Sequence, residues 1–262
     1  MAEFTFIDFF PDFKYREYEE GTAGWNDIFG NPVFNPAGAV DIKHVVFTGV
    51  LLLLLLGIAL IARRKYTNRD RALVPDGRLT VASFVEVIFD AVLNMMTEMM
   101  GEKNAKKYFP LIASLALFIF IGNVMGLVPG LYHPTSSLNT GLACSIVVFL
   151  VYNAGGFAEN GLGYAKHFLG PVWYLAGLIL IIEIVSHAFR PISLAVRLSG
   201  NMTGDSLVLD IFGDLAADLV GVPFLLPIPF LFLGLLVCII QALVFALLST
   251  VYIALSITHE EH

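Results

Sequence analysis

Apolar runs long enough to cross a bilayer alternate along this chain with short polar connections. A hydrocarbon core about 30 Å thick needs roughly 20 apolar helical residues. Val45 to Ile61, with Leu51 to Leu56 uninterrupted, is the first such run, and Arg63, Arg64, Lys65, Arg69 and Arg71 follow it at once. From Leu79 to Met100 the pattern changes. Val81, Phe84, Val85, Ile88, Phe89, Val92, Met95, Met96 and Met99 recur at helical spacing against Glu86, Asp90, Asn94 and Glu98, which predicts an amphipathic helix lying on the membrane surface or against other helices. Tyr108 to Val128 spans next and stops at Pro129, Gly130 and Pro134; Leu138 to Phe157 returns. Pro171 to Met202 and Pro223 to Ile257 are each too long for one perpendicular crossing, so tilted or protein-shielded helices are expected.

The pattern defines an all-α polytopic membrane protein: five transmembrane helices plus the amphipathic one, the last two long and tilted. Three regions follow, an N-terminal segment 1–43, a unit 44–107 holding the first span, a basic loop and the amphipathic helix, and a helical domain 108–262. Composition agrees. The chain is 57% hydrophobic and 14% charged with a mean hydropathy of +0.79, too little charge for a water-soluble globule. The connections 62–107 and 159–170 hold most of the lysines and arginines, and those at 131–138 and 203–221 hold none. That asymmetry places the N-terminus outside and the C-terminus inside. The N-terminal residues lack the basic start of a secretory leader and are expected to remain.

Cys144 and Cys238 lie within apolar runs and read as packing residues. His44, His133, His259 and His262 are expected at interfaces or in the tail, His167 in a cytoplasmic loop, and none forms a metal set. No phosphate-binding loop, zinc-hydrolase motif or nucleophile elbow is present, so no cofactor and no catalytic site on this chain are expected, and nothing suggests nucleic acid.

The stretch from Ile181 to Asp205 carries Glu183, His187, Arg190, Arg197 and Asn201 in an apolar setting. A charge at the bilayer centre costs about 2.5 to 3.5 kcal/mol on insertion scales, so each such residue calls for a partner or a cavity. At roughly 100° per residue, Glu183, Ser186, Arg190, Ser193, Arg197 and Asn201 share one face. Glu183 lies about 21 Å inward of Arg197 along the axis. Interhelical hydrogen bonds, with Glu183 paired to His187 or Arg190, are one account of the seam. Arg197, however, has no acidic residue one turn away, and its partner must come from another helix or subunit. Gln241, the amide of the last apolar run, faces the Arg197 to Asn201 stretch if those helices pack antiparallel; taken alone it reads as interhelical glue. Asp205, Asp210, Asp214 and Asp218 form an acidic external connection, either plain solvated surface or a means of concentrating cations at an entrance.

Pro191 to Met202, with Arg197, Gly200 and Asn201 within it, resembles the signature of subunit a of F-type ATP synthase. Gly122 to Pro129, Pro134 to Thr140 and the tail from Gln241 through Tyr252 to His262 are similar to that family as well. The resemblance implies an ion-translocating stator subunit in the bacterial inner membrane. It would be partnered by a rotor ring of proteolipid subunits, the peripheral-stalk b subunits, the soluble catalytic head and lipid. It further implies that Arg197 faces a rotor carboxylate and separates two offset half-channels. Glu183 and Ser193 match residues of the cytoplasmic side; Asn123, Asn201 and Gln241 match polar residues near the arginine and the external path. Two positions depart from the family. Ser206 stands nine after the arginine, where many relatives have an acid or His, with Asp205 one place earlier as a candidate substitute; Gly234 stands seven before the glutamine, at another frequent polar position.

A guanidinium suits the role, because it stays protonated and attracts a carboxylate without relaying protons. Two other readings fit an intramembrane arginine. A secondary transporter would show internal repeats, and the Arg197 segment is not repeated; a structural scaffold would need the seam satisfied within the chain.

Overall fold

The computed structural model describes residues 43–66, 80–128, 131, 133–161, 164, 176–220 and 227–257. Expectations for the N-terminal segment, Arg69, Arg71, Lys166, His167 and the tail histidines fall outside these residues.

Among the described residues five long helices follow one another: α1 Lys43–Tyr66, α2 Val81–Gly126, α3 Leu138–Asn160, α4 Ala176–Val220 and α5 Pro227–Ile257, with a short 3-10 turn, Pro134–Ser136, before α3. Each is long and apolar enough to cross a membrane. The chain is therefore a multi-pass helical membrane protein. The main core joins α2 to α5 through Val92, Met96, Ile112, Ile119, Val148, Tyr152, Leu194, Leu198, Phe245 and Ile253. α1 stands at its edge. Phe47 and Leu51 meet Met125 of α2, while Leu52, Leu53, Leu56 and Leu60 face outward, as lipid-facing leucines do.

α2 is two arms joined at Gly101, whose φ of 78° and ψ of 159° leave the helical region. Glycine adopts that conformation without a side-chain clash. The chain folds back there, bringing Phe89 edge-on to Phe109 at 5.6 Å and Phe84 to within 6.1 Å of Phe120. The first arm is the expected amphipathic helix. Thr80 caps its start by accepting from the Ser83 amide, its apolar side sinks Val85, Val92 and Met96, and Asp90, Asn94 and Glu98 are exposed. Of the two placements the pattern allowed, the structure shows packing on a helix.

Small residues let α3 approach its neighbours. A Cβ on Gly141 would sit 3.0 Å from the Ala195 carbonyl oxygen of α4, and one on Gly155 only 2.7 Å from the Tyr108 hydroxyl of α2. Close backbone approach of this kind is how helices associate where water supplies no hydrophobic drive. Lys107 and Glu159 join α2 to α3 at 2.7 Å, and the Asn160 amide donates to the Ser256 carbonyl of α5 at 3.0 Å.

α4 corrects one expectation. Asp205 to Asp218 do not form a connection; the helix continues through them to Val220. Leu207, Ile211 and Leu215 recur at four-residue spacing between the acids, enough to carry the helix on, and Phe212 stacks on Phe230 of α5 with ring centroids 3.9 Å apart.

Candidate functional site

The polar seam lies on α4, and α5 sets its register. Arg190 lies over the Tyr252 ring, 5.5 Å from its centroid, and Asn201 donates from Nδ2 to Oε1 of Gln241 at 2.8 Å. Eleven residues forward on α4 are thus answered by eleven back on α5. The helices run antiparallel, and Gln241 falls opposite Asn201 as the helical spacing predicts. Gln241 is buried and Asn201 sits at the edge of the open face.

Two arginines within seven residues have different surroundings. Arg190 approaches Glu183 at 3.7 Å, both side chains about a third exposed or less, and has the Tyr252 ring beneath it. Arg197 is exposed, and among the described residues no acidic side chain pairs with it. Leu194, Ala195, Leu198 and Met202 occupy the buried side of the same turns. On the open side Ile192 and Val196 of α4 and Leu243 and Leu247 of α5 are exposed as well. An unpaired guanidinium thus stands midway along a 45-residue helix, within an uncovered apolar face. Ser193 is exposed on that face one turn inward.

The Glu183–Arg190 pair realises one of the two pairings expected for Glu183. His187, one turn on from Glu183, is bonded to α3 instead. It is buried, its Nε2 lies 2.9 Å from Oδ1 of Asn153 and 3.1 Å from the Tyr152 hydroxyl, and the Tyr164 hydroxyl donates to the same Asn153 oxygen at 3.3 Å. Sequence reasoning missed this cluster. Its signal was Tyr152 and Asn153 side by side in an apolar span, where polar groups are seldom left unsatisfied.

Asp205 and Ser206 are separated by the helix geometry. Ser206 donates back to the carbonyls of Met202 and Thr203 at 3.2 and 3.1 Å, so its hydroxyl is held by its own helix. Asp205 continues the Arg197–Asn201 stripe by one more turn and lies close enough to Cys238 of α5 to act on it electrostatically. Its Oδ2 is buried and among the described residues has no hydrogen-bond partner. At Gly234, the other departing position, the space a side chain would take is met by Leu127.

Asn123 is fully buried in α2 and accepts from the Thr135 hydroxyl at 2.6 Å. The 3-10 turn reaches α4 as well, because Ser199 donates to the Ser136 carbonyl. Of the sequence candidates, Arg197, Asn201, Gln241 and Asp205 therefore share one stretch of the α4–α5 pair, Ser193 adjoins it, Glu183 lies farther in, and Asn123 joins through the turn.

Fold and seam together define a multi-pass helical membrane protein with an unpaired arginine at mid-helix on an open face. A sequence profile of the ATP synthase A chain family matches residues 45–254. The chain is 47% identical over 209 residues to ATP synthase subunit a of Trichlorobacter lovleyi, covering 80% of this chain and 84% of that one. It is 46% identical over 209 residues to ATP synthase subunit a of Geobacter sulfurreducens, covering 80% and 85%, and 44% identical over 226 residues to that of Citrifermentans bemidjiense, covering 86% and 91%. The chain belongs to the ATP synthase A chain family.

Proposed function

We propose that this chain is the ion-translocating stator subunit of a rotary ATP synthase, with Arg197 as the charge that each rotor carboxylate meets. The observation that carries the reading is the contrast between the arginines: Arg190 has Glu183 and Tyr252, whereas Arg197 is left on an open apolar face. A mid-membrane charge without a partner among the described residues points to a partner in another chain. A ring of proteolipid helices presenting a carboxylate at that depth fits both the charge and the apolar surface around it.

Two half-channels then meet at Arg197. Ser193 and Glu183 line the cytoplasmic one, with Glu183 3.7 Å from Arg190; Asn201, Gln241, Asp205 and Asn123 line the external one, and the Ser206 hydroxyl is bonded to its own helix. The positive charge blocks a continuous proton wire between them, so an ion crosses only by riding the ring. The free energy released is about 2.3 kcal/mol per charge per 100 mV and drives phosphoryl chemistry on the soluble head, which the peripheral stalk holds fixed against this subunit. The bacterial inner membrane, with the N-terminus outside and the C-terminus inside, is the orientation the basic connections favour.

The test is proximity to the ring. Val196 is exposed beside Arg197, and a Val196→Cys variant should form a disulfide with a single cysteine on the outer helix of the rotor proteolipid. Cross-linking that never captures the proteolipid in intact complexes, while it captures other partners, would remove the reading.

A further inference from the structure

His133 is a buried titratable side chain that the proposed path does not use. It lies in the connection between α2 and α3, is 4% exposed, and among the described residues neither ring nitrogen has a well-aligned hydrogen-bond partner. Buried imidazoles are seldom left so, since an unmet polar atom costs about 1 to 3 kcal/mol. Its ring fills the space over Gly126, where even a methyl would overlap it, so the backbone is shaped to admit an imidazole. One turn back on α2, Nδ2 of the fully buried Asn123 is also without a partner, although Oδ1 of the same amide is held by Thr135. Three unpaired polar atoms from two side chains, one of them able to titrate, thus cluster at the end of the bundle where the turn passes to α4.

We propose that His133 is a proton-relay residue at the external entrance, sharing with Asn123 a small polar site that takes water and the incoming proton. The inference rests on the proposed external half-channel and adds a residue to it. A hydronium arriving from outside gives its proton to the unprotonated ring nitrogen. The imidazolium then releases the proton on its other nitrogen to water on the inner side. No electrons move, and the ring is left in its second tautomer, reset by a ring flip. Inward of the site the chain leads directly to the arginine's helix, because the Ser136 carbonyl accepts from Ser199, two residues from Arg197 and two from Asn201.

The surroundings favour rapid release over storage. α1 offers Leu51 and α2 offers Asn123 and Gly126 around the turn, α4 offers Ser199, and Gly234 of α5 lies against Leu127. Among the described residues no charged side chain acts on the ring; burial lowers its pKa to about 4, opposed by an approach of the Asn123 backbone too poorly aligned to make a hydrogen bond. The resting ring is neutral at physiological pH and is protonated only in passing.

Vesicles carrying the whole complex, with the soluble head removed, supply the test through proton flux under a fixed potential. His133→Gln keeps a donor and an acceptor but cannot pass a proton through. Flux should fall about tenfold, less than the ~10²-fold a positioned acid–base group can contribute because water still carries part of it, and its dependence on external pH should flatten. In a His133→Cys variant, silver ion added on the external face should block flux within seconds, and silver on the cytoplasmic face should not, relative to wild type treated alike. Assembled His133→Gln complexes with wild-type flux and pH profile, or a His133→Cys variant indifferent to external silver, overturn the relay, as does failure of both variants to assemble, which would make His133 structural. Arg197→Ala in the same vesicles keeps the two ideas apart: if it abolishes coupling while His133→Gln is silent, the relay alone has failed.

Discussion

Arg197→Ala is the perturbation with the largest consequence. At about 4 Å in surroundings of effective dielectric near 20, a guanidinium stabilises a facing carboxylate by ~4 kcal/mol. One pKa unit corresponds to 1.36 kcal/mol, so removing the charge raises the protonated share of that carboxylate by about 10³-fold. A rotor site that should arrive, lose its proton and pass the arginine ionised instead passes protonated, and protons leak without driving rotation. ATP synthesis and ATP-driven acidification should drop below detection in vesicles, while passive gradient decay through stripped complexes should persist or quicken. Arg197→Lys should also fail, because an ammonium lacks the planar fork and sheds its proton when desolvated. Arg190→Gln is the control the structure supplies. A partly exposed ion pair is worth about 1 kcal/mol or less, so that variant should assemble less well yet stay coupled. Assembled Arg197→Ala complexes that make ATP at near-normal rates would refute the reasoning, and so would Arg190→Gln complexes with the same uncoupled leak.

Asp205→Asn should slow proton entry from the external side severalfold, whereas Ser206→Ala should leave it unchanged, since the Ser206 hydroxyl is spent on its own helix; flux against external pH distinguishes them, and equal effects would contradict the assignment. Gly141→Val adds bulk where a Cβ already meets the Ala195 carbonyl at 3.0 Å, and should cost about 1 to 3 kcal/mol, read as a lower temperature of disassembly in detergent. Acid should loosen the α2–α3 connection: with the folded pKa of His133 near 4 and the unfolded one near 6.5, its contribution is complete above pH 6.5 and is lost as pH falls toward 4, by up to 1.36 kcal/mol per unit. His133→Gln should remove that slope from thermal melts between those values.

The spans were legible because lipid admits few solutions: long apolar runs bounded by basic or Gly-Pro signals become helices. The Asn201–Gln241 bond was legible for a related reason, two amides at matching depth in helices that must run antiparallel. Three features escaped. The reversal at Gly101 hides in a sequence where Gly101, Glu102 and Lys103 read equally well as surface helix. The extension of α4 through the aspartates was obscured because acids suggest a loop, although Leu207, Ile211 and Leu215 already carried the helical period. His133 looked interfacial because it sits in a Pro-flanked connection, and only the packing shows its burial under Gly126.

That extension bears on how two half-channels come to be offset. Exposed apolar side chains run along α4 from Leu178 to Leu215, a stretch of about 56 Å at 1.5 Å per residue. A hydrocarbon layer of about 30 Å accommodates that length only if the helix lies at roughly 55 to 60° from the membrane normal, beyond the 0 to 40° common for spanning helices. Such an inclination exposes one long flank to whatever covers it, and α4 leaves open the flank that carries Arg197. On the proposed reading the rotor ring supplies the cover. The tilt then has a functional result. With a ring in place, points spaced along α4 would differ in position along it as well as in depth, so Glu183 and Asp205, on opposite sides of Arg197, would open toward the two water phases at different places on its circumference. A proton entering by one must travel with the rotor to leave by the other. On the proposed reading, the length of this one helix, set by apolar residues interleaved with the acids, would convert a barrier of a single charge into a requirement for rotation.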